Sequence, residues 1–139
     1  MTQTLDSLRA RYPGALIDGF GDTEELSARL IELIRIGKKT AATGALEHYR
    51  QDGDPIPKPG DYLIILDFFG TPVLILQSEH VEIRRFVDVT WDFAKLEGEN
   101  DTFEEWRADH KAFFERTGGF DPEMMVVCER FRLIEDLVG

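Results

Sequence analysis

Residues 34–43 read Ile34-Arg35-Ile36-Gly37-Lys38-Lys39-Thr40-Ala41-Ala42-Thr43. The stretch begins as the last turn of an amphipathic helix and stops at Gly37, since glycine enters the left-handed conformation at a helix C-terminus without a Cβ clash. Lys38 and Lys39 then stand beside the negative end of the helix dipole, where cations are favoured. That placement accounts for two adjacent lysines. It does not account for the hydroxyl-bearing and small residues that follow, which read as backbone and short side chains lining a cleft.

Working outward, Leu26, Leu30, Leu33 and Ile34 fall on one stripe and predict a helix over residues 23–36. Asp22 is its expected N-cap, with Glu25 three residues on in the capping-box pattern. Leu5, Leu8 and Tyr12 predict a short helix ended by Pro13-Gly14. Downstream, Glu47 to Arg50 leads into a turn-rich loop over residues 51–60 that holds Pro55, Pro57 and Pro59. Residues 61–69 and 72–79 are rich in Ile, Leu, Val and Phe around Gly70-Thr71, a hairpin buried on both faces. β character continues through Val81, Ile83 and residues 86–90. A short helix is expected at 91–96, then an acidic loop at 97–101. Asp101 or Thr102 caps a second long helix carrying Phe103, Trp106, His110, Phe113 and Phe114, which Thr117-Gly118-Gly119 ends. Residues 124–128 and 131–134 form a last strand whose apolar run Glu129-Arg130 interrupts. Strands with helices gathered at the ends, rather than strict βαβ alternation, indicate an α+β fold with a mixed, curled sheet or barrel.

At 139 residues the chain is read as a single domain over 1–139, long enough for a full hydrophobic core. Its 27 acidic against 16 basic side chains give a formal charge of −11, which removes bulk attraction to nucleic acid or an anionic membrane. Any contact with nucleic acid must then come from a local basic patch. A lone Cys128 excludes an intramolecular disulfide and points to a reducing compartment. No stretch approaches the ~18 apolar residues of a membrane span. The opening Met1-Thr2-Gln3-Thr4-Leu5-Asp6 lacks the basic and apolar regions of a signal peptide, so a cytoplasmic protein is expected. No repeat or linker divides the chain, and no pattern specifies an oligomeric state.

Five segments together carry a family resemblance: Gly37-Lys38-Lys39-Thr40-Ala41, Pro59-Gly60-Asp61, Phe93 to Glu99, Glu104-Glu105-Trp106-Arg107 with His110, and Val127 to Phe131. In this order, over about residues 20–139, the chain resembles a bacterial ASCH-domain protein of the PUA-like superfamily. The resemblance implies a PUA-like mixed β-barrel with helices packed at its ends and a cleft holding the lysine motif. It also implies RNA-related roles, since members of this family bind RNA, cleave RNA or hydrolyse acylated cytidine nucleosides. In the nucleoside hydrolases a lysine, a threonine three residues later and a distant glutamate form the catalytic group. Here these fall on Lys39, Ala42 and Glu97. Alanine has no hydroxyl, and Thr43 stands one residue late, which on an extended chain turns its side chain to the opposite face.

Lys39 is the expected base or oxyanion contact, and Glu97 the group that orients it or moves a proton. Thr43 completes the catalytic candidates. Lys38, Thr40, Arg84 and Arg130 are candidate ligand contacts near one cleft, the basic ones toward phosphate. Tyr49 is the candidate stacking platform for a base, whereas Trp106 falls on the helix stripe and reads as core. Alternating Glu97, Glu99 and Asp101 could hold a divalent cation, but the full calcium-loop pattern is missing and no metal ligand set is assigned. His48, His80 and His110 lack zinc-site spacing, and His110 reads as a hydrogen-bonded structural histidine. Cys128 reads as an inert buried thiol, and Ser78 shows no nucleophile-elbow context. Three functions stay open. The first is binding of single-stranded RNA or a nucleotide-sized piece of it, with hydrolysis assisted by Lys39 and Glu97. The second is an amidohydrolase of acylated nucleosides that uses Lys39, Thr43 and Glu97. The third is a non-catalytic ligand-sensing or protein-binding domain, which the acidic surface suits.

Overall fold

The computed structural model describes residues 4–138. Met1 to Gln3, on which the reading of the N-terminus partly rests, lie outside the described residues. The chain runs α1 (Leu5–Arg11), β1 (Leu16–Gly19), α2 (Glu24–Arg35), β2 (Ala41–Ala45), α3 (Leu46–Asp52), β3 (Tyr62–Leu66) and β4 (Pro72–Arg85). After a 3₁₀ turn at Phe86–Asp88 come α4 (Trp91–Ala94), a second 3₁₀ turn at Lys95–Glu97, α5 (Phe103–Thr117) and β5 (Met125–Asp136). No described helix is long and apolar enough to cross a membrane.

The hairpin of β3 and β4 is the centre of the molecule. Its apolar run is continuous because both faces are covered. Leu63, Ile65, Leu74 and Leu76 point to a core completed by Ile31 and Ile34 of α2 and by Phe131. Ile64 and Ile75, paired directly across the strands, point the other way onto Leu8 of α1. A third core lies over β5 and β2, where Val126, Cys128 and Ala45 meet Phe86, Trp106 and Phe114. The helices therefore cover the sheet rather than each other.

Strand order is β1-β3-β4-β5-β2, with β1 parallel to β3 and all other neighbours antiparallel. The mixed sheet is open, and this corrects the expectation of a closed barrel. Among the described residues β1 and β2 are its two edges and do not pair. A cavity of about 460 Å³ lies in the unclosed seam, lined by Asp18 and Gly19 of one edge and Ala42 to Ala45 of the other.

Other expectations need local revision. Thr23, not Asp22, caps α2, its hydroxyl accepting from the Leu26 amide at 3.2 Å, while Asp22 pairs with Arg116. Of residues 86–90, expected to be extended, Phe86–Asp88 form a 3₁₀ turn whose Phe86 side chain stacks on Trp106, while Val89 and Thr90 are extended. The last strand is present as expected, and β5 carries Glu129-Arg130 within it and extends to Asp136. β1 and β2 were not anticipated as strands at all.

Because Ile75 is fully buried between Ile64 and Leu8, Ile75→Ala should cost about 2–5 kcal/mol. Urea unfolding measures it, and a loss below the lower figure would mean that α1 settles into the space.

Candidate functional site

Gly37 ends α2 with φ +79°, and the amides of Lys38 and Lys39 both donate to the Leu33 carbonyl. The chain then crosses to the second 3₁₀ turn, where the Thr40 amide donates to Leu96 O at 2.8 Å. This crossing drives Lys39 into the interior, 2% exposed, while Lys38 and Thr40 on either side remain exposed. Gly98 makes the approach feasible. Its φ is +70°, and a Cβ there would stand 2.2 Å from Lys38 O. The 3₁₀ turn can therefore lie against the lysine segment and present Glu97 to it.

Glu97 is as buried as Lys39, and every partner around it is a donor. Lys39 Nζ donates to Glu97 Oε1 at 3.2 Å and to Glu99 Oε2 at 2.7 Å. Thr43 Oγ1 and Trp106 Nε1 each donate to Glu97 Oε2 at 2.8 Å, and His110 Nε2 lies 3.3 Å from the same oxygen. His110 Nδ1 is 2.9 Å from Trp106 O. Since that carbonyl and Glu97 can only accept, both contacts are made when the imidazole carries two protons.

The titration behaviour follows from this packing. Burial works against the Lys39 charge, but Glu97 and Glu99 outweigh it and hold its pKa above the usual lysine value. Burial likewise opposes the Glu97 charge. Lys39, His110 and the Thr43 hydroxyl overcome it, keeping Glu97 well below the carboxylate range. His110, despite burial, is raised by Glu97. Glu99 is raised, by burial first and by its neighbour Glu97. The resting site thus holds an ammonium, an ionised Glu97 and an imidazole biased toward its cation.

Thr43 corrects the expectation that it would face away. On β2 it shares a face with Ala41 and Ala45, the face turned to α5 and the 3₁₀ turn, whereas Ala42 packs against the core under α2. Glu97 lies on Thr43's side of the strand, so the later position supplies the hydroxyl.

Of the remaining ligand candidates, Tyr49 lines the cleft. Lys38, Thr40, Arg84 and Arg130 do not. The Thr40 hydroxyl is turned to Leu96 O. Arg84 and Arg130 border a separate hollow of about 250 Å³ with His80 and Cys128, and Arg84 is paired there with Glu82. Side chains alternate across β4 and β5, which is why neighbours in sequence part company. Asp101 is exposed and stands apart from the acidic pair. Glu97, Glu99 and His110 instead bring ligand-type atoms within 4.8 Å of one another, with the Lys39 ammonium already on both carboxylates. Cys128 is buried, its thiol pushed up to about 12 by burial.

Two cleft residues escaped the sequence reading. Glu129 is 6% exposed, and burial raises its carboxyl to about 7. Half-buried Asp18 on β1 is raised to about 6 by burial. Glu129 sits at period two between Val127 and Phe131. That alternation was the available signal that it faces inward.

Removing Lys39 leaves Glu97 and Glu99 buried without their ammonium, so Lys39→Met should cost about 3–5 kcal/mol in urea unfolding. Adding Glu97→Gln to that variant should recover part of the loss; no recovery would mean that the lysine stem, not the ion pair, carries the effect. Stability should also rise as pH falls from 8.5 to 5.5. Glu129 and Asp18 titrate higher folded than the ~4 of an unfolded carboxylate, so their contribution is full at low pH and is lost as pH rises through about 6 to 7. Thermal midpoints across that range test it, and Glu129→Gln should flatten the profile.

The ASCH-domain family profile matches residues 16–135. Among solved structures, protein EF3133 of Enterococcus faecalis V583 is 33% identical, with 88% of this chain and 77% of that one aligned at a TM-score of 0.77. The ASCH domain of Lactobacillus crispatus JV V101 is 26% identical over 94% of this chain and 86% of its own, at a TM-score of 0.78. Hypothetical protein PH0355, at 20% identity and a TM-score of 0.60 over 86% of this chain and 99% of that one, shares the fold. No curated protein matches. With motif order, fold and profile in agreement over most of its length, the chain belongs to the ASCH-domain family.

Proposed function

We infer that the seam is a catalytic cleft that removes the acyl group from an N4-acylated cytidine nucleoside. The observation that carries this reading is the Thr43 hydroxyl held 2.8 Å from Glu97, the same carboxylate that binds the Lys39 ammonium. A hydroxyl, a carboxylate and a cation in one cleft are the parts that acyl transfer requires. About 460 Å³ suits a nucleoside-sized ligand.

Thr43 Oγ1 attacks the acyl carbon, and its proton moves to Glu97 Oε2 along the existing hydrogen bond. Lys39 is not the resting base, because its raised pKa keeps it protonated. It offsets the negative charge that develops on the carbonyl oxygen. The C–N4 bond then breaks, Glu97 returns the proton to the departing amine, and water cleaves the acyl-threonine ester by the same relay. Since Lys39 and His110 hold down the proton affinity of Glu97, the proton moves late, once the new C–O bond has made the hydroxyl acidic. The ammonium supplies the cationic charge, so no step draws on the divalent cation considered near Glu97, Glu99 and Asp101.

A free nucleoside fits better than an RNA strand. Acidic side chains outnumber basic ones in the cleft lining, with Asp18, Asp52, Asp54, Glu97, Glu99, Asp109 and Glu129 against Arg29, Lys39 and Arg116, a balance unfavourable to a phosphate backbone. The bases expected to offset them, Lys38, Arg84 and Arg130, stand outside it.

Purified protein should release acetate from N4-acetylcytidine, read by chromatography. Thr43→Ala and Lys39→Ala should each lower kcat/KM by at least about 100-fold, consistent with loss of a nucleophile or of oxyanion stabilisation. Single-stranded RNA incubated in parallel should stay intact. Undiminished turnover in Thr43→Ala would remove the nucleophile assignment, and Lys39-dependent RNA cleavage without deacylation would replace this reading with a nuclease.

A further inference from the structure

On the face of β2 opposite Thr43, the cleft gathers acids that the acyl-transfer chemistry leaves unused. Glu129 stands on β5 between Ala42 of β2 and Val81 of β4. It is 6% exposed and lines the cavity, and its Oε2 has no hydrogen-bond partner among the described residues. Half-buried Asp18 of β1 and exposed Asp54 after α3 line the same cavity, so carboxyls run from its rim inward. Tyr49 of α3 stands among them. Burial, then the charges of Asp18, Glu129 and Asp54, raise its pKa, so its phenol keeps the proton. The cations of the lining are engaged elsewhere. Lys39 is held by Glu97 and Glu99, Arg116 by Asp22, and Arg29 donates to the Glu99 carbonyl.

We propose that this side of the cleft binds the ammonium group of an aliphatic amine, with Glu129 as its principal counter-charge. A buried carboxylate oxygen without a donor is rare in a folded chain, and an incoming ligand that carries one satisfies it. An ammonium carries three N–H donors and a positive charge, enough for Glu129, Asp18 and the Tyr49 oxygen. Phe20 and Val127, also in the lining, give its methylene chain apolar surface. A small inorganic ion suits the acids less well. Among the described residues the only three ligating side chains with atoms within 4.8 Å of one another are Glu97, Glu99 and His110, so Asp18, Asp54 and Glu129 are too widely set to share one ion. The site stands apart from Thr43 and does not depend on acyl transfer.

Its charge follows pH. Burial raises Glu129 to about 7, with Asp18 and Asp61 as anionic neighbours and the Ser78 hydroxyl opposing them. Burial raises Asp18 to about 6, with Asp54 adding to it and the Gly19 amide opposing. Asp52 of α3 is a further acid of the lining. An alkylamine stays charged to about pH 10, so affinity grows as these carboxyls ionise, and binding near neutrality releases protons.

The test is calorimetric titration of the purified protein with butan-1-amine hydrochloride at pH 5.5 and 8.5 and fixed ionic strength, with butan-1-ol as the uncharged probe. Amine affinity should tighten about tenfold from the lower pH to the higher, because Glu129 is mostly protonated at pH 5.5. Butan-1-ol should not bind. Glu129→Gln and, separately, Asp18→Asn should each weaken amine binding about tenfold at pH 8.5, the loss of one charge-assisted hydrogen bond. Asp101→Asn, which removes an exposed acid outside the cleft, should leave affinity unchanged. Thermal melts confirm that each variant is folded, and the amine should raise the midpoint of the unmodified protein more at pH 8.5 than at 5.5. If Glu129→Gln does not fold, Asp18→Asn and the pH dependence of the unmodified protein decide. The proposal is overturned if the amine does not bind at pH 8.5, or if Glu129→Gln and Asp101→Asn act alike, since bulk acidity would then be the attraction. Magnesium chloride that binds in a Glu129-dependent way and more tightly than the amine also overturns it, in favour of an inorganic cation. Amine binding of the expected pattern in a protein that releases no acetate would keep this site and reject the deacylase. Turnover without amine affinity would do the reverse.

Discussion

The contact between Lys39 and Glu97 is the constraint on which the rest of the site depends. Two opposite charges, each almost without solvent, are stable only when their remaining hydrogen-bonding capacity is filled. Around Glu97 that capacity is met by Thr43, Trp106 and His110, and around Lys39 by Glu99. These groups come from β2, α5 and the turn after α4, which are distant in sequence. The pair therefore fixes how the lysine segment, the acidic loop and the long helix are set against each other, and the aromatic packing of Phe86, Trp106 and Phe114 secures the arrangement from behind.

The site has two sides because β2 does. Residues of one parity on that strand turn to the charged network, and those of the other parity turn to the cleft floor with Glu129 and Tyr49. Small residues at 41, 42, 44 and 45 keep the strand thin enough for both sides to border one cavity.

How much of this was legible depended on whether a signal was local. α2 and α5 announce themselves through apolar stripes, though the α2 cap falls on Thr23 and not on Asp22, and the β3–β4 hairpin announces itself through its hydrophobic runs about Gly70-Thr71. The Lys39 and Glu97 positions were legible through family motifs. β2 was not, because Ala-Ala-Thr-Gly-Ala has little intrinsic strand preference; it is extended because β5 provides a partner. The consequence propagated to Thr43, since the face it occupies depends on which strand it joins. Glu129 was hidden by its chemistry, as a carboxylate in an apolar strand reads like an interruption when only hydrophobicity is followed. Barrel closure failed as an expectation because sequence pattern identifies strands but not whether the first and last edges meet.

The order of strands also sets when the cleft can exist during synthesis. Among the described residues β2, made early, pairs only with β5, the fifth of the described strands, and Glu129 and Val127 arrive with that strand. Until then β2 has no partner in the sheet, and the floor of the cavity is missing. A nascent chain emerging in order can assemble the β3–β4 hairpin and bring α2 against it, yet it has no binding site to offer. The cavity therefore gains its floor at once, when β5 joins β2, rather than by degrees.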